Sequence, residues 1–119
     1  MVCEGTIDAL SAASHGRAAL AVLGATYVDR SVAATIVDRA KGNTLLLAFD
    51  GDAAGRSGSA ALADAFAERG FASIDLRLPD GRDLNTELAT DSQWIQRRLC
   101  TCREDASGVH DRSLARTLR

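Results

Sequence analysis

Apolar residues along the chain form short continuous runs that alternate with longer stretches of helical spacing. Ala18–Leu23 and Thr44–Phe49 are the two clearest runs, and each is followed by glycine or aspartate. Runs of this length and punctuation are typical of strands that are buried in a sheet. Two more strands are predicted: a stub over residues 1–3, and Ala72–Leu78, whose mostly alternating pattern places it nearer an edge of the sheet.

Helices are predicted in the intervals between these strands. Most begin at a residue whose side chain can cap the first turn, and glycine ends three of them. The first helix is predicted to begin at Thr6 or Asp8 and to end near Gly16, and the second to begin at Asp29 or Ser31 and to end near Lys41. Two more are predicted over residues 53–69 and 84–88, and a last helix begins at Asp91 or Ser92 and ends near Cys102. The polar residues 103–119 are expected to form a flexible tail.

The alternation of strands and helices predicts an α/β fold, with a mainly parallel sheet of about four strands and helices on both faces. Right-handed crossovers bring the carboxyl ends of parallel strands to one edge, where open sheets bind ligands. Four acidic residues come soon after the predicted strands: Glu4, Asp50, Asp52 and Asp83.

Length and composition limit the protein to one domain with an aliphatic core. The chain has 119 residues, of which 46% are hydrophobic and only 4% aromatic. Three cysteines cannot all pair within one chain, so a reducing, cytoplasmic setting is expected. No apolar run approaches the length of a membrane span, and the first residues do not form a secretory signal.

The charge is unevenly divided along the chain. Residues 1–88 carry 8 basic and 12 acidic side chains, whereas residues 89–119 carry 6 basic and 4 acidic ones, for a formal net charge of −2 overall. This balance argues against a generic basic nucleic-acid binder. It remains compatible with an enzyme acting on nucleic acids whose acidic residues hold metal ions.

The sequence Asp50-Gly51-Asp52 places two carboxylates two residues apart at the end of a strand. If the extended geometry persists, both point to one side, where hard oxygen ligands suit Mg²⁺. The next helix opens with Ala53–Gly55, whose free N–H groups can receive a phosphate, and Arg56 can add charge. The alternative is that Asp52 only caps this helix and Asp50 is a solvated loop residue.

Glu4 and Asp83 each have two interpretations as well. Glu4 is a solvated loop residue or, beside the two aspartates, a metal ligand or general acid/base. Asp83, with Asn85 two residues later, contributes oxygen ligands or caps the short helix that follows.

Several other chemistries are disfavoured by the sequence. A P-loop is absent, since the only lysine follows no glycine-rich turn, and there is no GxSxG elbow. Cys100 and Cys102 with His110 resemble half a zinc site, but the tail offers three candidate ligands where structural zinc takes four. Ordinary reduced cysteines are the better interpretation.

Four segments, in this order, resemble the TOPRIM domain, which is shared by DnaG-type primases, topoisomerases and several nucleases. The resemblance covers about residues 2–88. The residues around the acidic positions are most similar to those of the primase branch, particularly of phage primase-helicases and plasmid-borne TOPRIM proteins. The matching segments are Val2–Leu10 (VCEGTIDAL), Ala21–Ala25 (AVLGA), Leu47–Arg56 (LAFDGDAAGR) and Leu78–Leu88 (LPDGRDLNTEL).

This resemblance implies roles for individual residues. Glu4 would be the catalytic residue, acting as metal ligand or general acid/base. The metal site for Mg²⁺ or Mn²⁺ would comprise Glu4, Asp50, Asp52 and Asp83. Nucleotides and phosphates would lie near Gly24, Gly55, Arg56 and Asn85. Asn85 stands where related primases often carry aspartate, so it can offer an oxygen but no charge.

The resemblance further implies metal-assisted nucleotidyl transfer, with primer synthesis on a single-stranded DNA template as the expected activity. Residues 1–88 would be the catalytic domain, residues 89–102 a helix packed on it, and residues 103–119 the tail. The first predicted strand is unusually short, so it is either stunted or lacks upstream sequence. The sequence contains no zinc-binding module, basic subdomain or helicase P-loop, so the resemblance implies a core that works with further parts, such as a zinc-binding primase module or a replicative helicase. Two alternatives remain: a non-catalytic TOPRIM module that binds DNA or a partner, and a TOPRIM nuclease.

Overall fold

Four strands and five helices make up the fold in the computed structural model, which describes residues 1–25 and 28–117. The strands are β1 (Val2–Cys3), β2 (Leu20–Ala21), β3 (Leu45–Ala48) and β4 (Ser73–Asp75). The helices are α1 (Thr6–Ser14), α2 (Arg30–Ala40), α3 (Ala53–Glu68), α4 (Leu84–Thr90) and α5 (Trp94–Thr117). The sheet is parallel throughout, in the order β2-β1-β3-β4, which confirms the predicted α/β class.

The central strand β3 is buried on both faces and divides the core into two layers. Its alternate side chains enter opposite layers, as the pleat of a strand requires. One layer contains Leu46 and Ala48, and the other contains Leu45, Leu47 and Phe49. The first layer packs on α1, α4 and α5 through residues such as Ala12, Leu84, Leu88, Ile95 and Leu99. The second packs on α2 and α3 through residues such as Ala33, Ile36, Leu62 and Phe66.

The direction in which the chain moves across the sheet reverses once. Through α1 the chain passes from β1 to its neighbour on one side, and through α2 it returns past β1 to β3. Right-handed crossovers in opposite directions require α1 and α2 to cover opposite faces, as observed. The reversal creates a switch point between β1 and β3, which is where ligands bind in open parallel sheets.

Aspartates begin three of the helices, each at a position that the sequence offered as one of two interpretations. Asp29, Asp52 and Asp83 each accept a hydrogen bond from the backbone N–H three residues later, at 2.9, 2.7 and 2.7 Å. Each bond satisfies one N–H group that the first helical turn leaves without a partner. Asp52 and Asp83 are candidate site residues as well as caps, so these hydrogen bonds hold their side chains in fixed positions.

The two outer strands are shorter than their apolar runs. The run Ala18–Leu23 was predicted to be a buried strand, but only Leu20–Ala21 pairs, and it is half-buried because β1 is its sole neighbour in the sheet. The predicted edge position of Ala72–Leu78 is confirmed. Its pairing ends at Asp75, whose side chain bonds the N–H of Arg77 at 2.8 Å, and there the backbone turns to a φ of 54°.

The last helix is longer than predicted. The expected end near Cys102 is wrong, because α5 continues to Thr117. The segment beyond Cys102 contains no proline, and its run of charged residues suits a solvated helix as well as a loose tail. The predicted flexibility of residues 103–119 stays a prediction, and residues 118–119 lie outside the described part. Within that part, neither α5 nor any other helix is long and apolar enough to cross a membrane.

We expect Leu47→Ala to destabilise the fold by about 2–5 kcal/mol, because it opens a cavity beneath the switch point. Leu10→Ala is the matched control, since the same change is made on the exposed face of α1. Denaturant unfolding followed by circular dichroism measures both. Equal losses from the two variants would contradict the assignment of β3 to the core.

Candidate metal-binding site

Two acidic side chains lie at the switch point between β1 and β3. Glu4 follows β1 directly, and Asp50 comes two residues after β3. The two strands are neighbours, with Cys3 in register with Ala48. The sheet therefore brings Glu4 and Asp50 together from positions that are distant in the sequence.

The carboxyl groups of Glu4 and Asp50 are partly removed from water. Glu4 Oε1 and Asp50 Oδ1 are buried and have no hydrogen-bond partner among the described residues. Burial, followed by the negative charge of Asp50, raises the pKa of Glu4 to about 7. Burial and the charge of Asp8 also raise the pKa of Asp50. Buried oxygen acceptors without a donor are the groups that a divalent cation can satisfy, so the residues fit a metal ion.

Asp52 and Asp83 flank this pair and act as helix caps. Oδ1 of Asp52 accepts the N–H of Gly55, and Oδ1 of Asp83 accepts the N–H of Thr86. The backbone and hydroxyl bonds from Thr86 hold the pKa of Asp83 below its ordinary value. The capping role is thus present in the structure. For either residue, the predicted role as a metal ligand stays a prediction.

The loops that carry these aspartates are joined by their backbones. The N–H of Gly51 donates to the carbonyl of Arg82 at 2.8 Å, and the N–H of Gly81 donates to the carbonyl of Gly51 at 2.7 Å. A Cβ atom on Gly51 would lie 1.9 Å from the carbonyl oxygen of Pro79, so only glycine fits there. Between the joined loops lies a cavity of about 100 Å³, lined by Asp50, Gly51, Asp52, Gly81, Arg82 and Asp83.

Asp8 belongs to the site, although the sequence pattern suggested only a helix start. Its side chain is buried, and Oδ1 accepts the backbone N–H of Asn85 at 3.0 Å. This bond ties α1, which follows Glu4, to α4, which follows Asp83. Burial raises the pKa of Asp8. In the sequence, Asp8 stands out only by its spacing of about one helical turn from Glu4. Many solvated residues have such a spacing, so it does not identify a site residue.

Gly24 and Asn85 lie next to the acidic residues. The N–H of Gly24 donates to the backbone carbonyl of Glu4 at 3.3 Å, which places the end of β2 beside β1. Asn85 is exposed, and its backbone N–H is bonded to Asp8. Both residues are thus at the same edge as the predicted metal ligands.

Gly55 and Arg56 lie in the first turn of α3. A Cβ atom on Gly55 would lie 2.1 Å from the carbonyl oxygen of Asp50, so glycine allows the helix to begin directly against that residue. The N–H of Gly55 donates to Asp52. The N–H groups that remain to bind a phosphate at this helix start, of the three predicted, are therefore those of Ala53 and Ala54. The guanidinium of Arg56 bonds the carbonyl of Leu78 at 2.9 Å and Asp80 at 2.7 Å.

The acidic side chains share one edge without forming a complete coordination sphere. Among the residues that the structure describes, no three histidine, cysteine or acidic side chains converge closely enough to hold a metal ion. Mg²⁺ commonly takes one or two carboxylates and completes its shell with water and phosphate oxygens. Cys100 and Cys102 are free cysteines at exposed and half-buried positions, and the His110 side chain lies outside the described residues.

Comparison with known proteins gives one match. A protein-family model described as Toprim-like matches residues 1–88. No curated protein and no solved structure shows significant similarity to the chain. The matched range contains all four strands and every acidic residue of the site.

We expect Gly51→Ala to destabilise the protein by about 1–3 kcal/mol, because the added methyl group must push apart the two joined loops. Gly5→Ala is the matched control, since its Cβ would meet Asp8 Oδ2 at an ordinary 3.5 Å. Thermal unfolding measures both variants. A Gly51→Ala protein as stable as the Gly5→Ala protein would contradict the close contact.

The stability of the metal-free protein should fall as the pH rises from about 4.5 to about 7. Over this interval Glu4 is ionised in the unfolded chain but still protonated in the folded one, so the unfolded state binds fewer protons. The Glu4→Gln variant lacks this contribution. Its free energy of unfolding, relative to that of the parent, should therefore increase as the pH rises. Urea unfolding in chelator at several pH values measures the effect, and Glu104→Gln, at an exposed position, controls for the loss of one charge. If the free energies of unfolding of Glu4→Gln and the parent differ by a constant amount across this pH interval, folding does not raise the pKa of Glu4.

Proposed function

The chain belongs to the Toprim-like family, and we propose that it is the catalytic core of a metal-dependent nucleotidyltransferase of the primase type. Toprim domains generally bind divalent metal ions such as Mg²⁺, and they occur in primases and nucleases. The primase assignment is supported by the sequence around the acidic residues, FDGDAAGR and LPDGRDLN, which resembles that branch.

The observation that carries the proposal is the pair of buried carboxyl oxygens at the switch point. Glu4 Oε1 and Asp50 Oδ1 have no hydrogen-bond donor within the described residues. The cavity between Asp52 and Asp83 opens beside them. A cation and its phosphate ligand would satisfy the buried oxygens and offset the crowded negative charge.

The metal ion, Mg²⁺ or Mn²⁺, would be held by the carboxylates of Glu4, Asp50, Asp52 and Asp83, one or two of them directly and the others through bound water. When bound, it supplies positive charge that offsets the charge of the substrate phosphates and of the leaving group. The chain itself supplies rigidity, since both capping aspartates are fixed by helix N-termini and the loops are joined through Gly51. Preorganised charge of this kind requires little rearrangement during the reaction.

Nucleotidyl transfer gives Glu4 a second task. As the primer 3′-oxygen bonds to the α-phosphorus of the incoming nucleotide, the bond from that phosphorus to the bridging oxygen breaks and pyrophosphate leaves. The proton of the 3′-hydroxyl passes to the Glu4 carboxylate. Glu4 lies beside Asp50 with its carboxyl group partly buried, and a carboxylate positioned within hydrogen-bond reach of the hydroxyl can accept this proton.

Substrate phosphates would lie against the first turn of α3 and the neighbouring strand ends. Ala53 and Ala54 offer backbone N–H groups at the helix start, and the helix dipole favours negative charge there. The residues we assign to this role are Gly24, Gly55, Arg56 and Asn85. Gly55 acts by its small size, because its N–H is taken by Asp52.

Single-stranded DNA template and nucleotides are the proposed substrates. A replicative helicase or a zinc-binding primase module is the proposed partner, because the primases that this sequence resembles hold the template largely through such parts. We therefore expect weak or no primer synthesis from the chain alone.

Calorimetric titration with Mn²⁺ tests the metal site. Asp52→Asn and Asp83→Asn should weaken Mn²⁺ binding by about tenfold or more while preserving the fold, because asparagine caps helices as well as aspartate does. Asp38→Asn, an exposed position late in α2, is the matched control and should bind as the parent does. If the parent protein itself binds no Mn²⁺ near neutral pH, the catalytic proposal is wrong.

An activity assay separates the candidate reactions. Labelled template, nucleotides and Mn²⁺ are incubated with the chain, with and without a zinc-binding primase module. Extension products that disappear with Asp50→Asn support nucleotidyl transfer. Nicked template with no extension would instead identify a nuclease, and binding without either product would identify a non-catalytic module.

A further inference from the structure

A second cleft is lined by the first part of the loop 77–83, whose later residues border the acidic cavity. It has a volume of about 470 Å³ and is formed where α3, the end of β4 and the start of α5 meet. The residues that give it its chemistry are Arg56, Arg77, Trp94 and Arg98, and the loop Leu78–Asp80 forms its floor. Arg77, Trp94 and Arg98 have no role in the metal site, and Arg56 borders both regions.

Two of the arginines are fixed from opposite sides by one backbone segment. Arg56, from α3, donates to the carbonyl of Leu78, and Arg98, from α5, donates through Nε to the carbonyl of Leu76. Both arginines are half-buried, and both leucines are fully buried. The guanidinium groups are therefore positioned before any ligand arrives, which reduces the entropy lost on binding.

Arg77 lies between these two anchors and points outward. Its backbone φ is 54°, a left-handed conformation that is unfavourable for residues other than glycine. Asp75 stabilises the turn by accepting the N–H of Arg77 and the hydroxyl of the buried Ser59, at 2.8 and 2.9 Å. The Arg77 side chain is exposed and makes no ion pair within the part of the chain whose side chains are described.

The local charge of the cleft is opposite to that of the chain. Against three arginines there is one acidic lining residue, Asp80, whose side chain is 98% exposed and pairs with Arg56. Three arginines against one aspartate leave the lining with a net positive formal charge. The cleft is thus a positive site on a chain whose formal net charge is −2.

Trp94 supplies an aromatic surface at the rim of the cleft. It is the first residue of α5 and packs partly against the core layer that contains Ile95 and Leu99. The rest of the ring lines the cleft beside Arg98. Aromatic rings interleaved with arginines are the combination with which proteins hold single strands, by stacking on a base and pairing with phosphates.

We propose that this cleft binds a segment of single-stranded nucleic acid, with phosphates on Arg77 and Arg98 and a base against Trp94. The inference rests on the proposed function, because the strand would continue from the acidic cavity across the shared loop at Pro79 and Gly81. Gly51, which lines the acidic cavity, lies directly against the backbone of Pro79, which lines the second cleft. The acidic edge would act on the strand, and the arginine cleft would hold it.

The test measures strand binding in chelator, where the metal site is empty. Trp94 is the only tryptophan of the chain, so its fluorescence reports directly on the cleft. An oligothymidylate of about 12 nucleotides, within the range of known single-strand sites, should quench it. Arg77→Asn should weaken binding by about threefold or more at low salt and lower the slope of log K against log salt by about 0.7. Asparagine tolerates the left-handed backbone, so the turn is preserved.

Arg39→Asn is the matched control, because Arg39 is an exposed arginine near the far end of α2. Equal losses from both variants, or no quenching of the parent, would overturn the proposal. Equal quenching by polyglutamate would identify an acidic protein as the ligand, and equal quenching by a nucleoside triphosphate would limit the site to mononucleotides; each contradicts strand binding. Because the assay contains no metal, its failure leaves the Mn²⁺ titration as a separate test of the proposed function.

Discussion

The crowding of carboxyl groups at the switch point is the constraint on which this structure depends. A parallel sheet brings the ends of β1 and β3 together, and each is followed by an acidic residue, Glu4 or Asp50. Burial of like charges side by side is unfavourable, and the metal-free protein responds by raising the pKa of both groups. A bound cation is the other physical solution, and it is the one that allows the acids to act at neutral pH. The arrangement thus sacrifices stability in the empty protein for a site that is ready to accept charge.

The backbone around these acids is organised so that their positions do not depend on the ligand. Asp52 and Asp83 are fixed by the helices that they cap, and Asp8 joins the two helices that follow Glu4 and Asp83. Glycines allow backbone contacts that any side chain would prevent, most closely at Gly51 against Pro79. The same loop then borders two clefts of opposite charge: its later residues line the acidic cavity, and the carbonyls of Leu76 and Leu78 hold two arginines of the other cleft in place.

Much of the fold and the acidic edge could be predicted from local patterns, because the physics involved is local. A continuous apolar run identifies β3, aspartates mark the starts of α2, α3 and α4, and alternation identifies β4 as an edge strand. The position of Glu4 and Asp50 at the same edge follows from parallel topology alone. Two predictions failed where the local signal was ambiguous: the apolar run before Gly24 gave only a short, half-buried strand, and the charged segment after Cys102 gave a helix.

The sequence by itself determined the class of fold, the family resemblance and the four acidic residues, since these depend on residue type and spacing. Only the tertiary structure decided which of the acids lack a hydrogen-bond donor, because that depends on every neighbour that the folded chain supplies. It likewise decided that Asp8 contacts Asn85, which is distant along the chain. The clustering of Arg56, Arg77 and Arg98 around Trp94 also came from the fold, because residues from three different elements meet there. No periodicity links such residues in the sequence, and only the packing of α3 and α5 against the end of β4 brings their charges together.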